Sequence, residues 1–230
     1  VTFDVDVAIV GGGPAGTSTA LHLVRDAGIR ADRVAIFEKA EHPREKPCAG
    51  AVSAWGVDAL ARIGVAIDVP FVAMRGLRIL AEGRVGAHAS NIGVVVRRNE
   101  FDASLWRRAI AEGVRAHDRE PIISLERVAG GWRVGTRART ISARLVAACD
   151  GAGSSVRKLL GIREAARKGH LYVLETAPRA CDAGPSEALC DFDLAPSERG
   201  LEGYYWDFPT VIDGARAVSR GIYHANMSAS

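Results

Sequence analysis

The chain has 230 residues, of which 48% are hydrophobic and 25% charged, with a formal net charge of +3. That length suits one or two domains, and that mix buries a sizeable core, which excludes a disordered chain. The small basic excess is spread in runs no longer than two, which excludes the basic stripe of a nucleic-acid binder.

Asp4 to Val10 is a short apolar run closed by three glycines, the signature of a buried strand. Pro14 to Ala27 has helical spacing, with Pro14 suited to the first turn and Gly28 to the stop. Arg33 to Glu38 is a second buried strand, so the first two strands should be parallel with a right-handed crossover. Residues 40–52 read as a charged loop and Ser53 to Ile63 as an amphipathic helix. Residues 74–96 read as several short strands. Asn99 is placed to cap a helix running to about Gly113. A β-hairpin is expected from Ile122 to Thr136, with Gly130-Gly131 at its turn. Arg144 to Cys149 reads as another buried strand, and Ser154 or Ser155 as the cap of a helix that stops at Gly161. Segments near 170–177, 187–193, 203–208 and 216–223 resemble strands of a second region. A meander at this point is foreign to a plain dehydrogenase repeat, so the pattern is an interrupted dinucleotide fold.

Cys48, Cys149, Cys181 and Cys190 form neither a disulfide scaffold nor a C-x-x-C pair, so a reducing compartment and no metal site are expected. No apolar run approaches the roughly 18 residues of a membrane span, and no secretory leader is visible. These observations imply a cytoplasmic protein with no transmembrane segment, and they leave peripheral contact with a lipid surface open. The first residue is Val1, which reads as a trimmed start. Nothing in the sequence sets an oligomeric state.

Gly11-Gly12-Gly13-Pro14-Ala15-Gly16 contains G-x-G-x-x-G between a strand and a helix. Gly11 allows the tight turn, Gly13 lets a diphosphate approach the backbone, and Gly16 lets the helix lie close on the sheet. Helix-start amides and the helix dipole then hold the anion. Glu38 ends the next strand at the spacing of a ribose-binding acid, about 20 residues on. A ribose phosphate set about 4 Å from this carboxylate would be repelled by about 1 kcal/mol in water and about 4 kcal/mol at an effective dielectric of 20. The loop therefore suits FAD or NAD, not NADP, and does not choose between them.

Three further segments make that choice. Together with the loop they resemble FAD-dependent oxidoreductases of the geranylgeranyl reductase and aromatic hydroxylase (flavin monooxygenase) superfamily. Pro43-Arg44-Glu45-Lys46-Pro47-Cys48-Ala49-Gly50 resembles that family's P-C-G-G stretch beside the flavin, with Ala49 in place of a glycine. Arg98-x-x-Phe101-Asp102-x-x-Leu105 is similar to R-x-x-F-D-x-x-L, whose arginine stabilises the ribityl-diphosphate end of FAD. Ala143 to Arg157 resembles a segment whose aspartate, here Asp150 followed by Gly151, hydrogen-bonds the cofactor. The resemblance implies a cofactor-binding set of Gly11, Gly13, Pro14, Ala15, Gly16, Glu38, Lys39, Arg44, Cys48, Ala49, Arg98, Asp150 and Gly151. Gly203 to Pro209 resembles G-Y-x-W-x-F-P of a substrate-domain strand. Alternation puts Tyr204, Trp206 and Phe208 on one face, either lining a pocket or packed in a sheet core.

The expected architecture is α/β. Residues 1–163 form an interrupted Rossmann-like FAD-binding domain of parallel sheet plus β-meander, with 53–97 contributing to the substrate side. Residues 164–230 supply part of an antiparallel β substrate domain. The family's third cofactor motif, G-D-x-A, has no counterpart before Ser230, so the C-terminal part is expected to be lacking. The resemblance implies an FAD-dependent oxidoreductase acting on a small apolar or aromatic substrate, with NADPH or NADH as external donor. Reduction of an isoprenoid-like double bond ranks first and aromatic monooxygenation second. Halogenation ranks third, because the only lysines are Lys39, Lys46, Lys158 and Lys168 and none matches the halogenase lysine. A non-catalytic flavin-binding fragment is the competing class. His42, His88, His117, His170 and His224 have no context that marks an acid or base, and no catalytic residue is assigned. Cys48 reads first as a small buried apolar residue, with a role beside the flavin as the alternative that the resemblance offers.

Overall fold

The computed structural model describes residues 2–163 and 169–225. Along the chain run β1 (Val5–Val10), α1 (Pro14–Arg25), β2 (Val34–Phe37), β3 (Ala51–Ser53), α2 (Ala54–Arg62), β4 (Phe71–Ala81) and β5 (Arg84–Val96). Next come α3 (Arg98–Ala111), β6 (Arg115–His117), β7 (Ser124–Val128), β8 (Gly131–Gly135), β9 (Thr140–Ala148) and α4 (Ser155–Leu159). The last are β10 (His170–Thr176), α5 (Ala183–Ser186), β11 (Leu189–Asp193), α6 (Ala195–Glu198), β12 (Gly203–Ile212) and β13 (Ala215–His224). The chain divides into two compact units, Val1–Arg44 with Asp102–Glu164, and Glu45–Phe101 with Ala165–Ser230. The excursion into the second unit thus covers 45–101 rather than 53–97, and it takes the Glu45–Gly50 loop out of the first.

The first unit is built on a six-stranded sheet in the order β6-β2-β1-β9-β8-β7. β1 pairs parallel with β2 and β9, and β2 parallel with β6. Both faces of β1 and β2 are covered, so Ala8, Ile9, Val34, Ile36 and Phe37 are almost fully buried, as their unbroken apolar runs require. β7, β8 and β9 form the antiparallel meander. Its tight turn is Ala129-Gly130, one residue earlier than expected, because Gly130 takes the positive φ of +76° and Gly131 already belongs to β8. β9 is longer and less buried than its composition implies. Only Ala143 of β9 is buried, and Leu145 is 60% exposed.

The second unit carries a seven-stranded sheet, β10-β13-β12-β11-β4-β5-β3. The strands of 164–230 pair antiparallel with one another as expected, and β11 joins them to β4 in parallel register. Residues 74–96 hold one long hairpin, not several short strands. β4 and β5 meet at Glu82-Gly83, both with positive φ, the geometry that closes a two-residue hairpin. Asp213-Gly214 closes β12 on β13 in the same way. Met74, Val95, Cys190, Trp206 and Phe208 form the core of this unit. Ser53 caps α2 by accepting from the Gly56 amide at 3.2 Å. Asn99 does not cap α3. It lies inside the first turn, where Phe101 N already donates to Arg97 O.

Candidate functional site

In the first unit the chain leaves β1 through Gly11, whose φ of +106° suits glycine. Its amide donates to Phe37 O at 2.8 Å, which anchors the turn to the end of β2. A Cβ on Gly16 would lie 1.9 Å from Gly11 O and 3.2 Å from a methyl group of Ile9. The helix therefore starts in contact with the turn it leaves. Gly13 is the N-cap of α1, no side chain caps it, and the first turn holds no acidic residue. The positive end of the helix is left for an anion from outside. Pro14 is half-buried and Ala15 exposed on this turn, and Lys39 is exposed.

Glu38 is 5% exposed. Its Oε2 accepts from Gly12 N at 2.7 Å and its Oε1 from Ala40 N at 3.0 Å. A carboxylate accepts about four hydrogen bonds, so each oxygen keeps capacity for a ribose hydroxyl. Arg44 reaches the same place. Its Nη2 lies 2.9 Å from where a Gly13 Cβ would stand and 3.2 Å from Asp102 Oδ2. Its Nε lies 3.8 Å from Glu38 Oε2 and is buried without a hydrogen-bond partner. Trp106 presses against Gly12, and His42 stacks on Trp106 with ring centroids 4.8 Å apart. Burial first, and the Arg44 guanidinium second, push the His42 imidazole below its ordinary range, against the pull of Glu38 and Asp102. His42 is therefore neutral at neutral pH and adds no charge to the site.

These observations test the loop against a dinucleotide, and the residues fit. An uncapped helix start and a side-chain-free backbone lie beside the Arg44 guanidinium, whose buried Nε has no hydrogen-bond partner. Asp102, Trp106 and His42 belong to this cluster and were missed as site residues in the sequence. The available signal was Asp102, an acid between apolar neighbours inside a helix.

Asp150 lies beside the same loop, its Cα 2.9 Å from where a Gly11 Cβ would stand. Its Oδ2 accepts from Ser155 N at 2.6 Å, Ser155 Oγ at 2.9 Å and Val156 N at 3.1 Å. Burial works against its ionised form, but the hydrogen bonds from Ser154, Val156 and Ser155 together hold it below the usual carboxylate range. It fixes the start of α4 behind Ser154, which accepts from Arg157 N at 3.0 Å. Gly151 beside it is exposed with φ +74°.

In the second unit Cys48, Ala49 and Arg98 border one cleft of about 310 Å³, together with Arg97, Thr210 and Ser219. Cys48 is a half-buried free thiol whose sulfur accepts from Gly50 N at 3.4 Å. Tyr204 is half-buried. Burial first, then the nearby Tyr223 and Cys48, push its phenol above the ordinary range. Trp206 and Phe208 are each 4% exposed and pack in the sheet core, outside the border of the cleft. The expected aromatic face exists, but Trp206 and Phe208 fill the interior. Lys168, counted above against a halogenase, lies outside the described residues.

The family described as FAD binding domain matches residues 4–201. Digeranylgeranylglycerophospholipid reductase 1 of Methanothermobacter thermautotrophicus is 27% identical over 177 residues, which are 71% of this chain and 43% of that protein. A geranylgeranyl bacteriochlorophyll reductase-like protein from Thermoplasma acidophilum superposes with a TM-score of 0.72 at 22% identity, over 95% of this chain and 56% of that one. The flavin-dependent halogenase CmlS superposes with a TM-score of 0.78 at 21% identity, over 95% of this chain and 41% of that one. The chain thus spans about half the length of such relatives, and the superpositions show a shared fold.

Proposed function

Because the chain belongs to the FAD binding domain family, we propose that its β1–α1 loop holds the ADP half of FAD in an oxidoreductase that reduces a carbon–carbon double bond of an apolar, isoprenoid-like substrate. The observation that carries the cofactor reading is the convergence of the Gly13 backbone, the buried Glu38 carboxylate and the Arg44 guanidinium on the start of α1. Glu38 would receive the ribose hydroxyls, and Arg44 with the helix-start amides would neutralise the diphosphate. When bound, FAD supplies the two-electron chemistry, and the protein supplies orientation and a shaped surface. The reductase reading is supported by the name of the Methanothermobacter relative and by the Gly203–Pro209 segment. NADPH or NADH is the donor in this reading. No helix among the described residues is long and apolar enough to cross a membrane.

The purified protein should be yellow and should release FAD on denaturation. Anaerobic NADPH or NADH should bleach the bound flavin, and an isoprenoid alkene should restore its colour without oxygen. Reoxidation that needs oxygen and is stimulated by an aromatic compound would replace the reductase reading with a monooxygenase. Bound flavin that no donor bleaches would make the chain a binder. Glu38→Ala should weaken FAD by about 1–3 kcal/mol, the worth of charged hydrogen bonds. Equilibrium dialysis measures this, and an unchanged affinity removes Glu38 from the ribose site.

A further inference from the structure

We infer that Asp102 is a positioning residue for the diphosphate, fixing the Arg44 guanidinium at the mouth of the glycine loop. This rests on the FAD reading of that loop. Arg44 belongs to no helix or strand, so its backbone gives its long side chain little guidance. Left alone, such a side chain spreads over many rotamers. Asp102 is fully buried on α3, and its Oδ2 lies 3.2 Å from Arg44 Nη2. The neighbouring carboxylate, Glu38, already accepts from two backbone amides and stands 3.8 Å from Arg44 Nε, beyond hydrogen-bond range. Asp102 is therefore the partner that fixes the guanidinium, while Nε stays without an acceptor.

Two physical effects of Asp102 on an incoming anion have opposite signs, which makes the inference testable. As a bare charge, Asp102 repels a diphosphate, and one guanidinium faces two carboxylates here. As a clamp, it holds Arg44 where the anion needs it. If the field dominates, neutralising Asp102 tightens anion binding. If positioning dominates, neutralising it weakens anion binding.

Calorimetric titration with ADP and with adenosine separates these cases. The unmodified chain should bind ADP more tightly than adenosine. Asp102→Ala should weaken ADP on the order of tenfold, as loss of a charge-assisted contact does, and leave adenosine unchanged. It should add little in an Arg44→Met background, since both changes remove one arrangement. Asp102→Asn keeps an acceptor of nearly the same shape and should weaken ADP severalfold, which decides the matter even if the alanine variant fails to fold. ADP binding that is unchanged or tighter in Asp102→Asn overturns the inference. Equal losses for ADP and adenosine make Asp102 a general support of the fold and overturn it too. An unmodified chain that binds neither ADP nor FAD refutes the FAD reading itself, whatever the variants do.

Discussion

Gly16→Ala should destabilise the protein by about 3 kcal/mol and strip it of FAD. The sign is the opposite of the usual one, since alanine in place of a helical glycine ordinarily stabilises by about 1 kcal/mol. At Gly16 the added Cβ would lie 1.9 Å from Gly11 O, a separation real atoms do not tolerate. The carbonyl belongs to the turn that Gly11 anchors to Phe37, so it cannot swing aside cheaply. α1 must instead lift from β1, which adds overpacking strain and loss of helix–sheet contact, each of order 1–3 kcal/mol. The helix-start amides move with it, and with them the diphosphate site. For a chain of this size the melting temperature should fall by about 6–12 °C. Gly28→Ala is the control. There φ is +67° and nothing lies within 4 Å of the added atom, so only the backbone cost of about 1–2 kcal/mol applies. A Gly16→Ala protein that melts with the parent and stays yellow would mean that α1 does not start against the Gly11 turn.

That glycine loop was the most legible part of the molecule, because its constraints are local. The chemistry of Gly11, Gly13 and Gly16 follows from backbone sterics within one turn, and Glu38 from the length of one strand–helix–strand unit. The long hairpins were harder to read. Glu82-Gly83 sits between residues whose apolar alternation is weak, since most of the β4–β5 tip is exposed, and the strands lengthen by pairing with each other. Asp213-Gly214 carried an explicit hairpin signal that also escaped the sequence reading. The partnership of Arg44 with Asp102 could not be read at all. It joins a loop to a helix far along the chain, and nothing local to either residue names the other. Trp206 and Phe208 show a further limit. Alternation tells which residues share a face and is silent on whether that face meets a ligand or other side chains.

In the second unit the largest stability effect should come from Arg220→Met. Arg220 is 9% exposed and serves three acceptors. Its Nε donates to Thr176 Oγ1 at 2.7 Å, its Nη1 to Asp207 Oδ2 at 2.5 Å and its Nη2 to Asp182 Oδ2 at 2.5 Å. Asp182 is buried and Asp207 half-buried, and Asp182 keeps the Arg179 amide, so the loss should be about 3 kcal/mol, the low end for a broken buried pair. The pH dependence separates lost charge from lost packing. The Arg220 hydrogen bond, opposed by burial and helped by the Arg179 amide, lowers the Asp182 carboxyl to about 2 from an ordinary 3.8. That contribution is fully present above the ordinary value and is lost as pH falls through about 2. Asp207 shifts the other way, raised by burial against the pull of Arg220, so acid relieves rather than strains that group. Without the guanidinium Asp182 loses its largest stabilising partner and keeps only Arg179, and Asp207 loses the pull that opposes its burial, so the ionised forms cost the variant more than the parent and acid relieves that cost. The gap between parent and variant, read from urea midpoints, should therefore be widest near pH 7 and narrow steadily toward pH 3. Adding Asp182→Asn to Arg220→Met should recover part of the loss at pH 7. A gap that stays constant across that range would assign the loss to packing by the arginine stem and deny the buried charges their part in holding β10, β12 and β13 to α5.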